Sequence, residues 1–422
     1  SAPGRAGIAV LRLSGPGAAD VVRALCGAVP PPRRASLRRL TGVDGAVIDR
    51  GLVLWFAAPH SFTGEDVAEF HVHGGQAVLD GLFDAIGSVP GTRPAEPGEF
   101  TRRAVEAGKL DLTQAEGLID LIDAQTEAQR RQALAQYDGA SGGLYEDWRE
   151  RLIRLLAWAE AEIDFSDEEL PEGLRLGVLA QTAQVAAEIA AHLEDGRRGE
   201  MVRDGVFLTV IGPPNAGKSS LVNALARRDV AIVAETAGTT RDIVEVRLDI
   251  GGYAVIVADT AGLRETADAV ESEGVRRALA RAERSDLVLL LLDASAPRGG
   301  PDGAPAPDLV VWNKSDLAPP PAGGTGLSLR TGEGLDGLLL AIEDLVRARL
   351  DGAAEAPVVA RRRHRHALQE ALAALRRAAG AGQAELMAED LRLAMRAIGR
   401  ITGRVDVEDL LDIVFRDFCI GK

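Results

Sequence analysis

The sequence predicts a multidomain α/β protein: a small N-terminal α+β domain, an all-α domain in two pieces, and a doubly wound α/β domain inserted between those pieces. Three observations lead to this. The chain is 422 residues long, beyond the length at which a single hydrophobic core keeps growing. Apolar residues recur at helical spacing in two blocks separated by a long stretch of different texture. That stretch opens with a buried-strand pattern running straight into a glycine-rich loop and a helix.

Residues 1–115 mix β-like runs at 8–13, 51–56 and 67–72 with glycine and proline punctuation, which reads as a small α+β domain. From about Glu116 the texture becomes helical. Trp148, Leu152, Leu155, Leu156, Ala159 and Ile163 form one apolar stripe, and Val178, Val185 and Ile189 continue it, so 116–204 is the first helical piece. Residues 205–350 are the inserted α/β domain. In 351–422 the apolar face returns through Leu368, Leu372 and Leu375, then Leu391, Met395, Ile398 and Ile401. Packing the two helical faces against each other makes one discontinuous domain. The Pro/Gly-rich stretches 294–307 and 318–326 read as surface loops, and Asp164, Asp167, Glu168 and Glu169 as an acidic helix-to-helix connection.

Composition narrows the function classes. Apolar residues at 46% and charged residues at 26% are an ordinary globular balance, and no apolar run approaches the roughly 20 residues that cross a bilayer. The start, Ser1-Ala2-Pro3-Gly4-Arg5, lacks a basic segment followed by an apolar one, so no secretory signal is read and the cytoplasm is the expected location. Cys26 and Cys419, at opposite ends, support neither a disulfide framework nor a zinc site. A net charge of −15 argues against coating of nucleic acid by bulk electrostatics and leaves room for a local basic patch, so any RNA contact must be local.

The chemistry concentrates in the inserted domain. The strand 206–211 runs into Gly212-Pro213-Pro214-Asn215-Ala216-Gly217-Lys218-Ser219-Ser220 and a helix marked by Leu221, Val222 and Leu225. In a phosphate-binding loop the glycines let the backbone wrap closely and its N–H groups face the phosphates. Lys218 neutralises the outer ones and the Ser219 hydroxyl can ligate magnesium. Asp259-Thr260-Ala261-Gly262 ends the strand 253–258, where a carboxylate can hold a magnesium-bound water and the glycine N–H can sense the last phosphate. Asn313-Lys314-Ser315-Asp316 ends the strand 309–312. Asp316 can accept two hydrogen bonds from the guanine edge, a pattern adenine cannot match, and Ser328-Leu329-Arg330 lies where a loop supports the base. Gly238-Thr239-Thr240-Arg241-Asp242 precedes the strand 244–250, and Thr240 can complete the magnesium shell when the terminal phosphate is present, which makes that loop a switch. Four elements in this order, at the carboxyl ends of strands, predict a GTP-binding and GTP-hydrolysing domain.

Other blocks narrow the choice: Phe62-Thr63-Gly64-Glu65-Asp66, His73-Gly74-Gly75, Pro97-Gly98-Glu99-Phe100-Thr101, Lys109-Leu110-Asp111-Leu112 and the terminal Cys419-Ile420-Gly421-Lys422. With the nucleotide motifs, they make essentially the whole chain resemble the bacterial and organellar tRNA-modification GTPase family MnmE (TrmE). The resemblance implies a Ras-like P-loop G domain and an N-terminal domain similar to folate-binding domains. That domain dimerises and binds formyl-tetrahydrofolate through Arg12, Glu69, Lys109 and Lys422. Basic side chains suit a glutamate-bearing ligand and a carboxylate suits a pterin's donor edge. The resemblance also implies a homodimer that joins an FAD-dependent partner of the MnmG (GidA) family as a heterotetramer. Together they attach an aminomethyl or carboxymethylaminomethyl group to the wobble uridine of certain tRNAs. Cys419 matches the family's C-terminal cysteine, as a chemical participant or as a shaping residue.

The residue after Gly262 is Leu263, which cannot orient water as the glutamine of Ras-type enzymes does. Glu265, Asp268, Glu271 and Glu273 are the nearby acidic candidates, and the resemblance selects Glu271, acting through a bridging water. It also makes Asn215 a potassium ligand, with the carbonyls of Ala234 and Thr236 and with Thr239 completing the cage when the switch loop closes in a G-domain dimer. The alternative is a regulatory GTP-binding module such as a ribosome-assembly factor. His71 and His73 alternate on a strand-like run without a third ligand spaced to join them, which favours structural roles. The run Arg361-Arg362-Arg363-His364-Arg365-His366 could meet tRNA phosphates, although charge runs at helix starts are usually solvated.

Overall fold

A computed structural model describes residues 5–164, 174–195, 197–228, 230–232, 245–258, 279–322, 324–350 and 358–405. The chain divides into two compact units, Ser1–Ile119 with Thr402–Lys422, and Asp120–Ile401.

The first unit is α+β. Strands β1 (Ala6–Ser14), β2 (Ser36–Thr41), β3 (Val47–Phe56) and β4 (Val67–Gly74) form an antiparallel sheet in the order β1-β4-β3-β2. Helices α1 (Ala18–Cys26) and α2 (Gln76–Gly87) pack against it. Because successive side chains alternate across a strand, Val53 and Trp55 of β3 are buried with Phe70 and Val72 of β4, while Leu52 is exposed. Val21, Val22 and Leu25 of α1 complete this core. Helix α3 (Glu99–Glu106) follows, and α4 (Leu112–Asp123) begins the helical part of the chain.

The second unit holds the helical pieces and the α/β segment. Helix α5 (Glu127–Tyr137) opens with a capping box between Thr126 and Gln129, and α6 (Ala140–Asp164), α7 (Leu174–Leu193) and the short α8 (Arg198–Asp204) follow. The α/β segment contributes β5 (Val206–Ile211), α9 (Lys218–Ala226), β6 (Glu245–Ile250), β7 (Tyr253–Ala258), β8 (Leu287–Asp293), β9 (Leu309–Asn313), β10 (Thr325–Gly326) and α10 (Leu335–Leu350). Among the described residues its sheet has the order β10-β9-β8-β5-β7-β6, parallel except for the β6–β7 pair. Central β5 and β8 read as nearly continuous apolar runs because both faces are covered. Leu335, Leu338, Ile342, Val346 and Leu350 of α10 supply a buried stripe at helical spacing.

Helices α11 (Arg362–Ala379) and α12 (Ala384–Thr402) follow the α/β segment, yet they share one apolar cluster with α6 and α7, which precede it. Trp148, Leu152 and Leu155 meet Val185 and Ile189 there, together with Leu368, Leu375, Leu391 and Ile398. The helical domain is therefore discontinuous and the α/β domain is its insertion. No helix of the described residues is long and apolar enough to cross a membrane.

Candidate functional site

The glycine-rich loop starts where β5 ends. Gly212 has φ +154°, and a Cβ there would stand 2.1 Å from the Leu291 carbonyl oxygen, so only glycine lets the loop pass this close to β8. At Gly217, φ is +102° and a Cβ would stand 2.4 Å from Asn313 Nδ2. Gly217 is also the N-cap of α9, in the left-handed region and offering no side-chain acceptor to the helix. The first-turn N–H groups of α9 therefore face the loop without a side-chain cap, which is what a phosphate requires. Ser219 and Ser220 lie in that first turn. Lys218 Nζ donates to the carbonyls of Gly212 at 2.9 Å and Pro213 at 3.0 Å, which holds the ammonium over the loop. Asn215 projects from a left-handed backbone position at φ +63°.

The base-side motifs converge on this loop. Asn313, only 4% exposed, donates from Nδ2 to the Ala216 carbonyl at 2.8 Å and accepts from Leu329 N–H at 3.2 Å. One side chain thus ties the phosphate loop to the loop 328–330. Asp316 accepts from the Ser328 hydroxyl at 2.7 Å on Oδ1 and pairs with Arg330 at 2.9 Å on Oδ2. The hydroxyl hydrogen bond first, and the Arg330 charge after it, hold the Asp316 carboxyl below its ordinary range. Lys314 Nζ pairs with Asp293 at 2.5 Å. Sequence reasoning missed Asp293; the apolar run of β8 ending abruptly in Asp293 was the signal that could have found it. Ala234, Thr236, Gly238, Thr239, Thr240, Asp259, Thr260, Ala261, Gly262 and Glu271 lie outside the described residues, as do Cys419 and Lys422.

The N-terminal unit gathers a second set. Arg12 on β1 and Glu69 on β4 are register partners, and Arg12 donates to Glu69 Oε1 from Nε at 3.0 Å and from a terminal nitrogen at 2.9 Å. Its guanidinium carbon stands 5.5 Å from the Phe62 ring centre and 5.7 Å from that of Phe100, within cation–π range of both. Arg12 and Glu69 are therefore one neutral unit between aromatic rings, where the sequence had suggested two independent charges. Lys109 passes beside Gly64, its Cε 3.4 Å from where a Cβ there would stand. The blocks around Glu65 and Glu99 meet through Arg103, whose terminal nitrogens reach Glu65 at 2.9 Å and Glu99 at 2.6 Å. Ser14 donates to Glu65 at 2.8 Å. Phe62 and Phe100 were visible in the sequence blocks, but no role could be given them without the fold, and Arg103, two residues beyond one block, was missed.

The remaining candidates resolve locally. His71 Nε2 is 3.4 Å from Glu69, and His73 Nδ1 is 2.9 Å from Asp49. Burial pushes the Cys26 thiol up to about 11, so it is protonated at neutral pH. The arginine run turns largely inward. Arg361 pairs with Asp120, Arg363 donates to the carbonyls of Arg400 and Ile401, and Arg365 pairs with Asp195 and Glu200.

Comparison with known proteins agrees with this arrangement. Residues 1–109 match the family described as GTP-binding protein TrmE N-terminus, and residues 112–419 match the MnmE helical domain. The tRNA modification GTPase MnmE of Parvibaculum lavamentivorans is 58% identical, over 100% of this chain and 98% of that protein. The protein of the same name from Rhodospirillum rubrum is 55% identical over the same shares, and that of Gluconacetobacter diazotrophicus is 52% identical over 99% of this chain and 97% of its own. From its first strand to its last helix, the chain belongs to the MnmE (TrmE) family of tRNA modification GTPases.

Proposed function

We propose that this protein is the GTP-hydrolysing component of a tRNA modification system, acting at the wobble uridine to add an aminomethyl or carboxymethylaminomethyl group. The observation that carries the reading is the Asn313 bridge, because it joins a phosphate-type loop to the loop 328–330, whose Ser328 hydroxyl holds Asp316, the residue suited to a guanine edge. Family membership supplies the tRNA substrate. The regulatory, ribosome-assembly reading gains no observation of its own.

In this reading Asn215, Ala216, Gly217, Lys218, Ser219 and Ser220 hold the phosphates, together with Thr236, Gly238, Thr239, Thr240, Asp259, Thr260, Ala261 and Gly262. Asn313, Lys314, Asp316, Ser328 and Leu329 hold the base, with Arg330 in the loop beside it. Ser219 and Thr240 would ligate a magnesium ion, which offsets phosphate charge when bound. Asn215, Ala234, Thr236 and Thr239 would take potassium, and Glu271 would position the attacking water in a G-domain dimer. The N-terminal set of Arg12, Glu69 and Lys109, with Lys422, would take formyl-tetrahydrofolate. Two phenylalanine rings and a carboxylate acceptor suit a flat pterin that carries donors. The domain division is 1–115, 116–204, 205–350 and 351–422, and the assembly is a homodimer joined to an MnmG-family flavoprotein in the cytoplasm. Cys419 would sit beside the one-carbon unit.

The test is mass spectrometry of wobble uridines in cells with and without the gene, paired with formyl-tetrahydrofolate calorimetry on the full chain. Loss of the modified uridines together with measurable folate affinity is expected. Intact modification in the deleted cells would refute the reading, and absence of folate affinity would return weight to the regulatory alternative.

A further inference from the structure

Asp316 is the residue from which guanine selectivity is expected, and both of its carboxylate oxygens have partners inside the chain. Oδ1 accepts from the Ser328 hydroxyl and Oδ2 takes a terminal nitrogen of Arg330 at 2.9 Å. The two partners differ in freedom. Ser328 is fully buried, its N–H donates to the Glu333 carbonyl, and its Oγ accepts from Thr331 N–H at 3.2 Å. The Arg330 side chain is 76% exposed against 12% for Asp316, so the acceptor is fixed and the donor is free to leave.

The chemistry of the two possible donors is the same. Guanine presents to a carboxylate its ring N–H and exocyclic amine, two parallel donors on one N–C–N unit, and that unit is a guanidine. Arginine offers the same planar fork with a full positive charge. Arg330 and guanine therefore compete for Oδ2, where the Arg330 nitrogen already sits.

We propose that Arg330 is a built-in competitor of the guanine base for Asp316, lowering affinity for guanine nucleotides by slowing their association. The proposal rests on the guanine-nucleotide reading of the site. Whatever the Arg330–Asp316 pair contributes to the nucleotide-free protein is subtracted from binding. An exposed pair contributes little, which sets the effect at about two- to fivefold in affinity. The competition concerns the base and not the phosphates, so GDP and GTP are affected alike. The sign separates this role from an ordinary contact, because removing an arginine that grips bound nucleotide weakens binding, whereas removing a competitor strengthens it.

The experiment uses the full chain and rapid mixing with fluorescently labelled GDP and a non-hydrolysable GTP analogue, comparing the unaltered protein with Arg330→Gln and Arg330→Lys. Arg330→Gln is expected to tighten both nucleotides about two- to fivefold through faster association at unchanged release, and the gain shrinks at about 1 M salt. Arg330→Lys falls between, since the ammonium keeps the charge and loses the fork. In the Asp316→Asn background, read with xanthosine diphosphate, Arg330→Gln makes no difference, because the carboxylate that held the arginine is gone. Weaker binding, faster release, or unchanged affinity in Arg330→Gln would overturn the proposal while leaving the guanine site standing. An unaltered protein that does not prefer guanosine to adenosine diphosphate would remove the site itself, and the competitor with it.

Discussion

Removing the Asn313 amide is expected to damage both stability and nucleotide binding, by amounts that follow from its two hydrogen bonds. Asn313→Ala deletes the donor to the Ala216 carbonyl and the acceptor for Leu329 N–H. Ala216 is fully buried, so its carbonyl finds no water in exchange. Each lost bond removes about 0.5–1.5 kcal/mol, and an orphaned buried polar group adds about 1–3 kcal/mol. A total of about 2–6 kcal/mol is expected, a large share of the roughly 5–15 kcal/mol that holds a domain together. The same bridge fixes the phosphate loop against the base loop before nucleotide arrives. Without it, ordering the two loops accompanies binding, and about 2 kcal/mol of that penalty corresponds to roughly 30-fold weaker GDP binding. Urea unfolding and GDP calorimetry on the same preparation read both quantities. A variant with wild-type midpoint and a GDP dissociation constant within about threefold would show that the bridge contributes neither, and the argument from it would fall.

Asp316→Asn is expected to move preference from guanine towards xanthine nucleotides, because the amide donates where the ring carries a carbonyl; unchanged GTP affinity would refute the assignment. Glu271→Ala should slow turnover with GTP affinity largely kept, and turnover should be faster in potassium than in sodium; wild-type rates, or equal rates in the two salts, would reject the respective role. In the N-terminal unit, burial favours the neutral form of Glu99, but hydrogen bonds from Arg93, the Glu96 N–H and Arg103 outweigh it and hold the carboxyl at about 2. A folded-state value depressed from 4.5 means this stability is present above about pH 4.5 and lost as pH falls towards 2. Hydrogen-exchange protection in β1–β4, taken relative to the intrinsic amide rate at each pH, should therefore fall across that window in the unaltered protein and show a flatter profile in Glu99→Gln, and identical profiles would count against the network.

The nucleotide half of the molecule was legible because its signals are local. Residues 206–211 and 253–258 coincide with β5 and β7, where apolar runs bounded by glycine or a charged residue leave little choice of element. Strand β2 was missed for an equally physical reason. Its sequence, Ser36-Leu37-Arg38-Arg39-Leu40-Thr41, lies at the sheet edge with Leu40 alone buried, so it lacks the apolar alternation of a strand with a buried face. The Arg12–Glu69 pair was invisible as a pair, since 57 residues separate its members and only the antiparallel register of β1 on β4 brings them together.

The arginine run at 361–365 shows most clearly what a sequence withholds. Read linearly it is a basic patch awaiting an anion, but a guanidinium is neutralised by whatever the fold sets before it. Arg361 reaches Asp120 at 2.7 Å, the same carboxylate oxygen that Arg203 reaches at 3.0 Å. Arg203 lies just before β5, where the chain enters the α/β domain, and Arg361 lies just after α10, where it has left. Asp120 therefore joins both crossings. Arg365 repeats the pattern with Asp195 and Glu200, buried acids between α7 and the end of α8, while also donating to the last carbonyl of α7. Close approach of the backbones fits this clasp, since a Cβ on Gly199 would meet the Val359 carbonyl oxygen at 2.8 Å. Breaking such a buried pair by removing one partner costs about 3–5 kcal/mol. An insertion secured in this way at both ends uses Arg361, Arg363 and Arg365 for itself, so these three mark the seam of a discontinuous domain, while Arg362 and His366 of the run stay exposed.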